Sequence, residues 1–203
     1  MKIGILALQG AFIEHEYIFA KLGIKTAEIR LPGHINDIDG LIIPGGESTT
    51  LMNLMQSYNL IEPIQDFAHC GRAVWGICAG MICLARKAYN PDRSIMKTLS
   101  LMDITVRRNA CGRQVYSFEE PLKISGINNG TFPGVFIRAP FIEKTGSNVD
   151  IICKLASGEI VAARQNNLLV TSFHPELTDD TRFHSYFIRM IAGQRGAEPE
   201  VTA

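Results

Sequence analysis

Along its first half the chain alternates short apolar runs with stretches whose apolar residues return on a helical period. Residues 2–8 form an apolar run of the kind a strand buried on both faces needs. A helical pattern follows at 13–22, and Gly23 stands where it stops a helix. Residues 24–30 predict a second strand and Leu41-Ile42-Ile43 a third. Pro44-Gly45-Gly46 breaks that strand, after which Leu51, Leu54, Met55 and Tyr58 mark one face of a helix. A further helix at about 61–69 leads into a fourth strand, Ala73-Val74-Trp75, and the next helix starts near Ala79. Such βαβ alternation predicts an α/β fold, a parallel sheet with helices on both faces.

From about 99 to 173 the pattern changes to short β-branched or alternating runs with little helix between them. The runs at 102–107, 114–118, 134–138, 159–164 and 168–173 predict an antiparallel or mixed extension of the same sheet. A last helix, about 179–192, places Phe183, Phe187, Ile188 and Ile191 on its inner side. With no repeat, low-complexity tract or linker, residues 1–203 are read as one domain, with 194–203 as a flexible tail.

Composition narrows the function classes. Twenty basic and twenty acidic residues cancel, and the basic ones are scattered. A nucleic-acid surface needs a concentrated positive field, so none is expected. No apolar run approaches the ~20 residues that span a bilayer. The chain enters a strand-like stretch at Lys2, without the charged and apolar regions of a signal peptide, which predicts a cytoplasmic protein. The five cysteines, at 70, 78, 83, 111 and 153, contain no C-x-x-C pair, so neither metal nor cofactor is expected. Four of them are read as small buried hydrophobes.

Cys78 is the exception. The strand 73–75 runs into Gly76-Ile77-Cys78-Ala79-Gly80 and then a helix, the context of a nucleophile elbow with cysteine in place of serine. The helix N-terminus beside the sulfur favours thiolate, which matters because a free thiol has a pKa of about 8.5. Alone, the motif is equally compatible with a buried cysteine in a glycine-rich turn. The second piece is His174-Pro175-Glu176, directly after the strand-like 168–173. In extended chain, residues two apart share a face about 6.5–7 Å apart, so the glutamate can reach back to the imidazole. A carboxylate that orients a histidine toward a thiol is the logic of a catalytic triad. A lone His-x-Glu is ordinarily a surface ion pair, but here both pieces lie at predicted strand ends.

The third piece, Pro44-Gly45-Gly46-Glu47-Ser48-Thr49, also joins a strand to a helix. It reads as a phosphate-binding turn, a helix cap by Ser48 or Thr49, or an oxyanion site. The oxyanion reading is preferred, with the backbone amides of Gly46 and Ala79 as donors. Arg138 stands among apolar residues near a strand end, where a snorkelling arginine is the plain alternative. His15, His34, His69 and His184 have no spaced partners and are read as structural or solvated.

Together these residues resemble the class I, triad-type glutamine amidotransferases, and more narrowly the glutaminase subunits of pyridoxal 5′-phosphate synthase. The likeness runs through Leu8-Gln9-Gly10-Ala11, 44–50, Cys78-Ala79-Gly80-Met81, Arg108-Asn109, Gly112-Arg113-Gln114, Ser117-Phe118, 135–140 and 172–177. It implies a flavodoxin-like, doubly wound fold and a synthase subunit as partner. It also implies glutamine contacts at Gly46, Glu47, Ser48, Arg108, Ile137 and Arg138. Arg107 departs from the family's usual acidic residue, Ser100 from a common glycine, and residues 87–98 from the usual linker. The expected reaction is glutamine hydrolysis through a thioester on Cys78, with ammonia passed to the partner. A glutaminase for another synthase, a cysteine peptidase or redox-sensing chaperone, and a non-catalytic binding module are the competing readings.

Overall fold

The computed structural model describes residues 1–108 and 117–195. Its first half is β1 (Lys2–Leu6), α1 (Phe12–Lys21), β2 (Lys25–Ile29), β3 (Gly40–Ile43), α2 (Ser48–Ser57), α3 (Ile61–His69), β4 (Ala73–Ile77) and α4 (Ala79–Leu84). The second half is β5 (Ala85–Tyr89), β6 (Met102–Arg107), β7 (Ser117–Leu122), β8 (Phe132–Ile137), β9 (Phe141–Thr145), β10 (Asp150–Lys154), β11 (Ile160–Gln165), β12 (Leu168–Thr171) and α5 (Arg182–Arg195).

Among the described residues the main sheet runs β2-β1-β3-β4-β12-β11-β9-β6-β5, with β10 on β11. From β2 to β12 every pairing is parallel. Beyond β12 the sheet turns antiparallel through β11, β9 and β6, as the change of pattern after residue 99 predicts. Alternate residues of the parallel strands feed two cores. Leu41, Ile43 and Val74 pack with Leu51, Met55, Ile64 and Phe67 of α2 and α3. Ile42, Ala73 and Trp75 pack with Phe19 of α1 and Phe183 and Phe187 of α5. Burial on both faces explains why β3, β4 and β12 are apolar but for Thr171 at the end of β12.

This order fixes the site. Strands β1, β3, β4 and β12 lie side by side, so the loops after them converge on one edge of the sheet. The chain steps from β1 outward to β2 and then back across to β3, which opens a crevice at the carboxyl edge.

Runs 114–118 and 134–138 differ from the expectation: β7 and β8 form a separate two-stranded ribbon rather than part of the main sheet. The physical reason is one-sided burial. In β8 only Phe132, Gly134 and Phe136 are buried, and Phe132 and Phe136 pack on Phe173. Pro121 and Pro133 face each other in the ribbon, where free edges spare prolines the loss of a ladder bond. Residues 114–116, Cys111 and the Gly112-Arg113-Gln114 segment lie outside the described residues, as does the tail from 196 onward. No helix among the described residues is long and apolar enough to cross a membrane.

Candidate active site

Cys78 occupies the turn between β4 and α4 with φ +50° and ψ −100°. For a residue with a side chain this is strained backbone, costing on the order of 1–3 kcal/mol, so neighbours must hold it. The Cys78 amide donates to the Thr171 carbonyl at 2.7 Å, and its carbonyl accepts from Ile82 at 3.2 Å. The flanking glycines let backbones close around the turn. A Cβ on Gly80 would stand 2.0 Å from the Ile43 carbonyl oxygen, and one on Gly76 2.6 Å from the Gly80 backbone. Cys78 is 8 % exposed and lines the crevice.

His174 follows β12 and is tied by its amide to the Val135 carbonyl of β8 at 2.8 Å. Its Nδ1 lies 2.7 Å from Glu176 Oε1. The chain here is not extended: Pro175–Leu177 form one 3₁₀ turn, with Pro175 in the first position that its fixed φ suits. The two side chains therefore meet across a turn rather than along a strand. Burial works against the charged imidazole, but hydrogen bonds with Cys78 and Glu176, and their charges, outweigh it. The result pushes the His174 pKa up to about 10. The loop after β3 packs beneath the ring, where a Cβ on Gly45 would lie 2.4 Å from His174 Cε1.

These groups line a crevice of about 310 Å³, together with Gln9, Gly46, Glu47, Ser48, Ala79, Arg108, Ile137 and Arg138. All the residues expected to bind glutamine or the oxyanion are thus brought together. The Gly45 carbonyl accepts from the Ala11 amide at 3.3 Å, and the Glu47 amide donates to Gln9 Oε1 at 3.0 Å. Ala79 opens α4, so its amide has no intrahelical acceptor. The cap of α2 is Glu47, not Ser48 or Thr49: its carboxylate accepts from the amides of Thr49 at 3.3 Å and Thr50 at 2.7 Å. Ser48 instead faces inward, 1 % exposed, and among the described residues its hydroxyl has no hydrogen-bond partner. Burial opposes ionisation at Glu47, but its Thr50 and Thr49 donors and Arg108 hold the carboxyl below its ordinary value. Arg108 is paired with Glu47 and also donates to Thr49 Oγ1 at 3.3 Å.

Arg138 sits at φ +44° just past β8, exposed and lining the crevice. Arg107 and the unusual 87–98 segment meet at one carboxylate, for Arg107 and Arg93 lie 3.3 and 3.4 Å from Glu143.

Of the other histidines, His34 and His69 are exposed. His15 and His184 are fully buried and touch each other, Nδ1 to Nε2, at 2.9 Å. Helical spacing carried that signal: His15 shares a face with Ile18 and Phe19, and His184 with Phe187 and Ile191. Cys83 and Cys153 are buried as expected, and burial pushes their thiols up to about 12 and about 11. Cys70 is not buried, because it caps the exposed end of α3. Among the described residues no cluster of three or more His, Cys, Asp or Glu is arranged to hold a metal ion.

The chain is 57 % identical over 190 residues to a pyridoxal 5′-phosphate synthase subunit PdxT of Dehalococcoides mccartyi, covering 94 % of this chain and 97 % of that one. It is 52 % identical to the same-named subunit of Herpetosiphon aurantiacus, over 93 % and 99 % of the two chains. A crystal structure of a glutamine amidotransferase superposes with a TM-score of 0.87 at 41 % identity, over 94 % of this chain and 98 % of that one. The SNO glutamine amidotransferase family model matches residues 5–193. With that match spanning nearly all of the fold just described, the chain belongs to the SNO glutamine amidotransferase family.

Proposed function

We propose that the protein hydrolyses L-glutamine to L-glutamate and ammonia, and hands the ammonia to the synthase subunit of pyridoxal 5′-phosphate synthase. The observation that carries this reading is the strained Cys78 at the floor of the crevice, beside a histidine that Glu176 orients. Relatives matched over 97 % and 99 % of their own length, each named pyridoxal 5′-phosphate synthase subunit PdxT, support the assignment of product and partner.

In the proposed reaction the Cys78 thiolate attacks the side-chain amide carbon of glutamine, and the amides of Gly46 and Ala79 stabilise the oxyanion. The imidazolium of His174 gives its proton to the departing nitrogen as the C–N bond breaks, leaving a thioester and ammonia. Neutral His174 then takes a proton from water as its oxygen attacks the thioester. Collapse expels the thiolate, releases glutamate and restores the imidazolium. Glu176 orients His174 and stabilises its charge throughout. Glu47, Ser48, Arg108, Ile137 and Arg138 hold the substrate's other groups, with Arg138 and Arg108 placed for its carboxylate. Free glutamine and a reducing thiol pool assign the work to the cytoplasm.

Ammonia released into neutral water becomes ammonium, which has no lone pair to attack with. Docking to the synthase before turnover preserves the nucleophile, and the site has a means to require it. The peptide joining Gly45 and Gly46 belongs to a loop held by the Gln9 side chain and the Ala11 amide. A peptide unit turned over would present a carbonyl to the oxyanion. A partner that binds the competent arrangement more tightly shifts the balance, and tenfold activation requires only about 1.4 kcal/mol. The test is to titrate the synthase into the protein with glutamine and no sugar phosphates. Glutamate release is expected to rise at least about tenfold and saturate. A flat response with detectable basal hydrolysis refutes the gating, and no hydrolysis of glutamine at saturation refutes the proposed function. A peptidase would instead cleave peptides without the partner.

A further inference from the structure

The second oxygen of Glu176 faces a pair of histidines that the reaction above does not use. His15 Nε2 lies 3.7 Å from Glu176 Oε2, both side chains fully buried, while His15 Nδ1 meets His184 Nε2 at 2.9 Å. The surroundings are aromatic. Trp75 packs edge-on against both rings, at centroid distances of 5.8 and 5.1 Å, and Phe19 against His184 at 5.1 Å. Trp75 spends its own N–H on Thr171 Oγ1 at 3.2 Å. Among the described residues neither Glu176 Oε2, His15 Nε2 nor His184 Nδ1 has a hydrogen-bond partner. Burial, followed for His15 by the nearby His184 and His174, holds both histidines well below the ordinary imidazole value, His184 at about 3.

Two neutral imidazoles 2.9 Å apart share one proton, and there are two ways to place it. If His15 Nδ1 donates to His184, then His15 Nε2 is a lone pair facing a carboxylate oxygen. The His184 Nδ1 proton is then left among rings without an acceptor. If His184 Nε2 donates to His15 Nδ1, then His15 carries its proton on Nε2, aimed at Glu176 Oε2. Only the second placement puts opposite signs together at the 3.7 Å gap and leaves no buried donor without an acceptor.

We infer that His15 is a positioning residue for the glutaminase reaction: supported by His184, its Nε2–H is directed at Glu176 Oε2 and fixes the rotation of the carboxylate that orients His174. This inference rests on the triad reading above. The gap is longer than a hydrogen bond, as polar contacts in unliganded sites commonly are before they tighten around the reacting complex. Neutrality suits the task. A cation at His15 would compensate the charge of Glu176 and weaken its hold on the His174 imidazolium. A neutral N–H fixes the carboxylate's orientation and leaves its charge for His174. The arrangement also ties α1 and α5, which carry the two histidines, to the loop that carries the triad.

The experiment compares His15→Leu, which removes the donor, with His15→Gln, whose amide nitrogen reaches about where Nε2 lies. Each is made in the native and Glu176→Ala backgrounds and assayed with the synthase present. In the native background His15→Leu is expected to lower kcat about tenfold, the scale on which outer partners of a working histidine act, with the KM for glutamine little changed. His15→Gln is expected to recover most of that loss, and in Glu176→Ala the leucine change is expected to cost less than about twofold. A purely packing role predicts the reverse order, since glutamine fills an aromatic pocket worse than leucine. The inference is overturned if His15→Leu keeps full kcat, if folded His15→Gln is no better than leucine, or if the leucine loss persists undiminished without Glu176. If leucine prevents folding, the melting curve shows it and the folded glutamine variant decides alone. Full activity in Glu176→Ala itself would overturn the triad reading instead.

Discussion

Cys78→Ala is expected to lower glutamine hydrolysis by about 10⁴-fold or more, the scale of losing a nucleophile that works as a unit with its base. The fold should survive. The change removes a single sulfur from a side chain that faces the crevice, and alanine occupies the same positive φ at no greater strain. The hydrogen bonds that hold the turn come from backbone groups of Cys78, Thr171 and Ile82, and all remain. Thermal unfolding and co-purification with the synthase should therefore match the unaltered protein. Added ammonium salt should restore pyridoxal phosphate formation, and better at alkaline pH, where more of it is free ammonia. Hydrolysis near the native rate would remove Cys78 from the mechanism.

The second large effect separates the other two members of the triad. His174→Ala removes the proton carrier that hydrogen-bonds the sulfur, and should cost nearly as much as Cys78→Ala. Glu176→Gln keeps the shape of the side chain and an acceptor for His174 Nδ1 but loses the charge. It should cost about 10–100-fold less than the histidine change, as orienting members of triads do. The pH profile supplies the sign. The pKa of His174 is raised to about 10 with help from Glu176, so the imidazolium that protonates the departing nitrogen persists across the neutral range and is lost only as pH rises through that value. Without the carboxylate charge the raised value falls. The alkaline limb of kcat in Glu176→Gln should accordingly shift to lower pH. The measurement is steady-state glutaminase activity with saturating synthase from pH 6 to 10, and an alkaline limb that stays in place would mean that Glu176 does not stabilise His174.

Much of this site is legible in the residues because parallel strands deliver their carboxyl ends to a common edge. Strand-then-glycine patterns at 43–46 and 77–80 place the Gly46 loop and Cys78 there without coordinates, and the run at 168–173 does the same for His174. What is not legible is whatever depends on turns and on the other half of a contact. Pro175 makes a 3₁₀ turn where extended chain was expected, because proline suits the first position of such a turn as readily as a strand. Strands β5, β9 and β10 are not predicted. Their burial is uneven, as in Arg86 and Lys87 exposed in β5 and Asp150 and Ile151 exposed in β10, so no clean apolar alternation marks them. The β7–β8 ribbon reads like any other pair of strands, since alternation reveals one buried face and not which core receives it. Glu47 was expected at the substrate, and the local signal for its capping role was masked by the stronger cap-formers at 48 and 49. His15 and His184 lie 169 residues apart, and only the fold shows that they touch.

The most direct test of the central claim is the covalent state of Cys78 during turnover. The complex with its synthase is mixed with glutamine, quenched in acid within the first turnovers, digested, and the peptide carrying Cys78 is weighed. The mechanism predicts a fraction of that peptide heavier by one glutamyl group, lost on treatment with hydroxylamine and absent when glutamine is replaced by glutamate. Hydrolysis that proceeds while every rapidly quenched Cys78 peptide remains unmodified, or a glutamyl group found on a different residue, would contradict it.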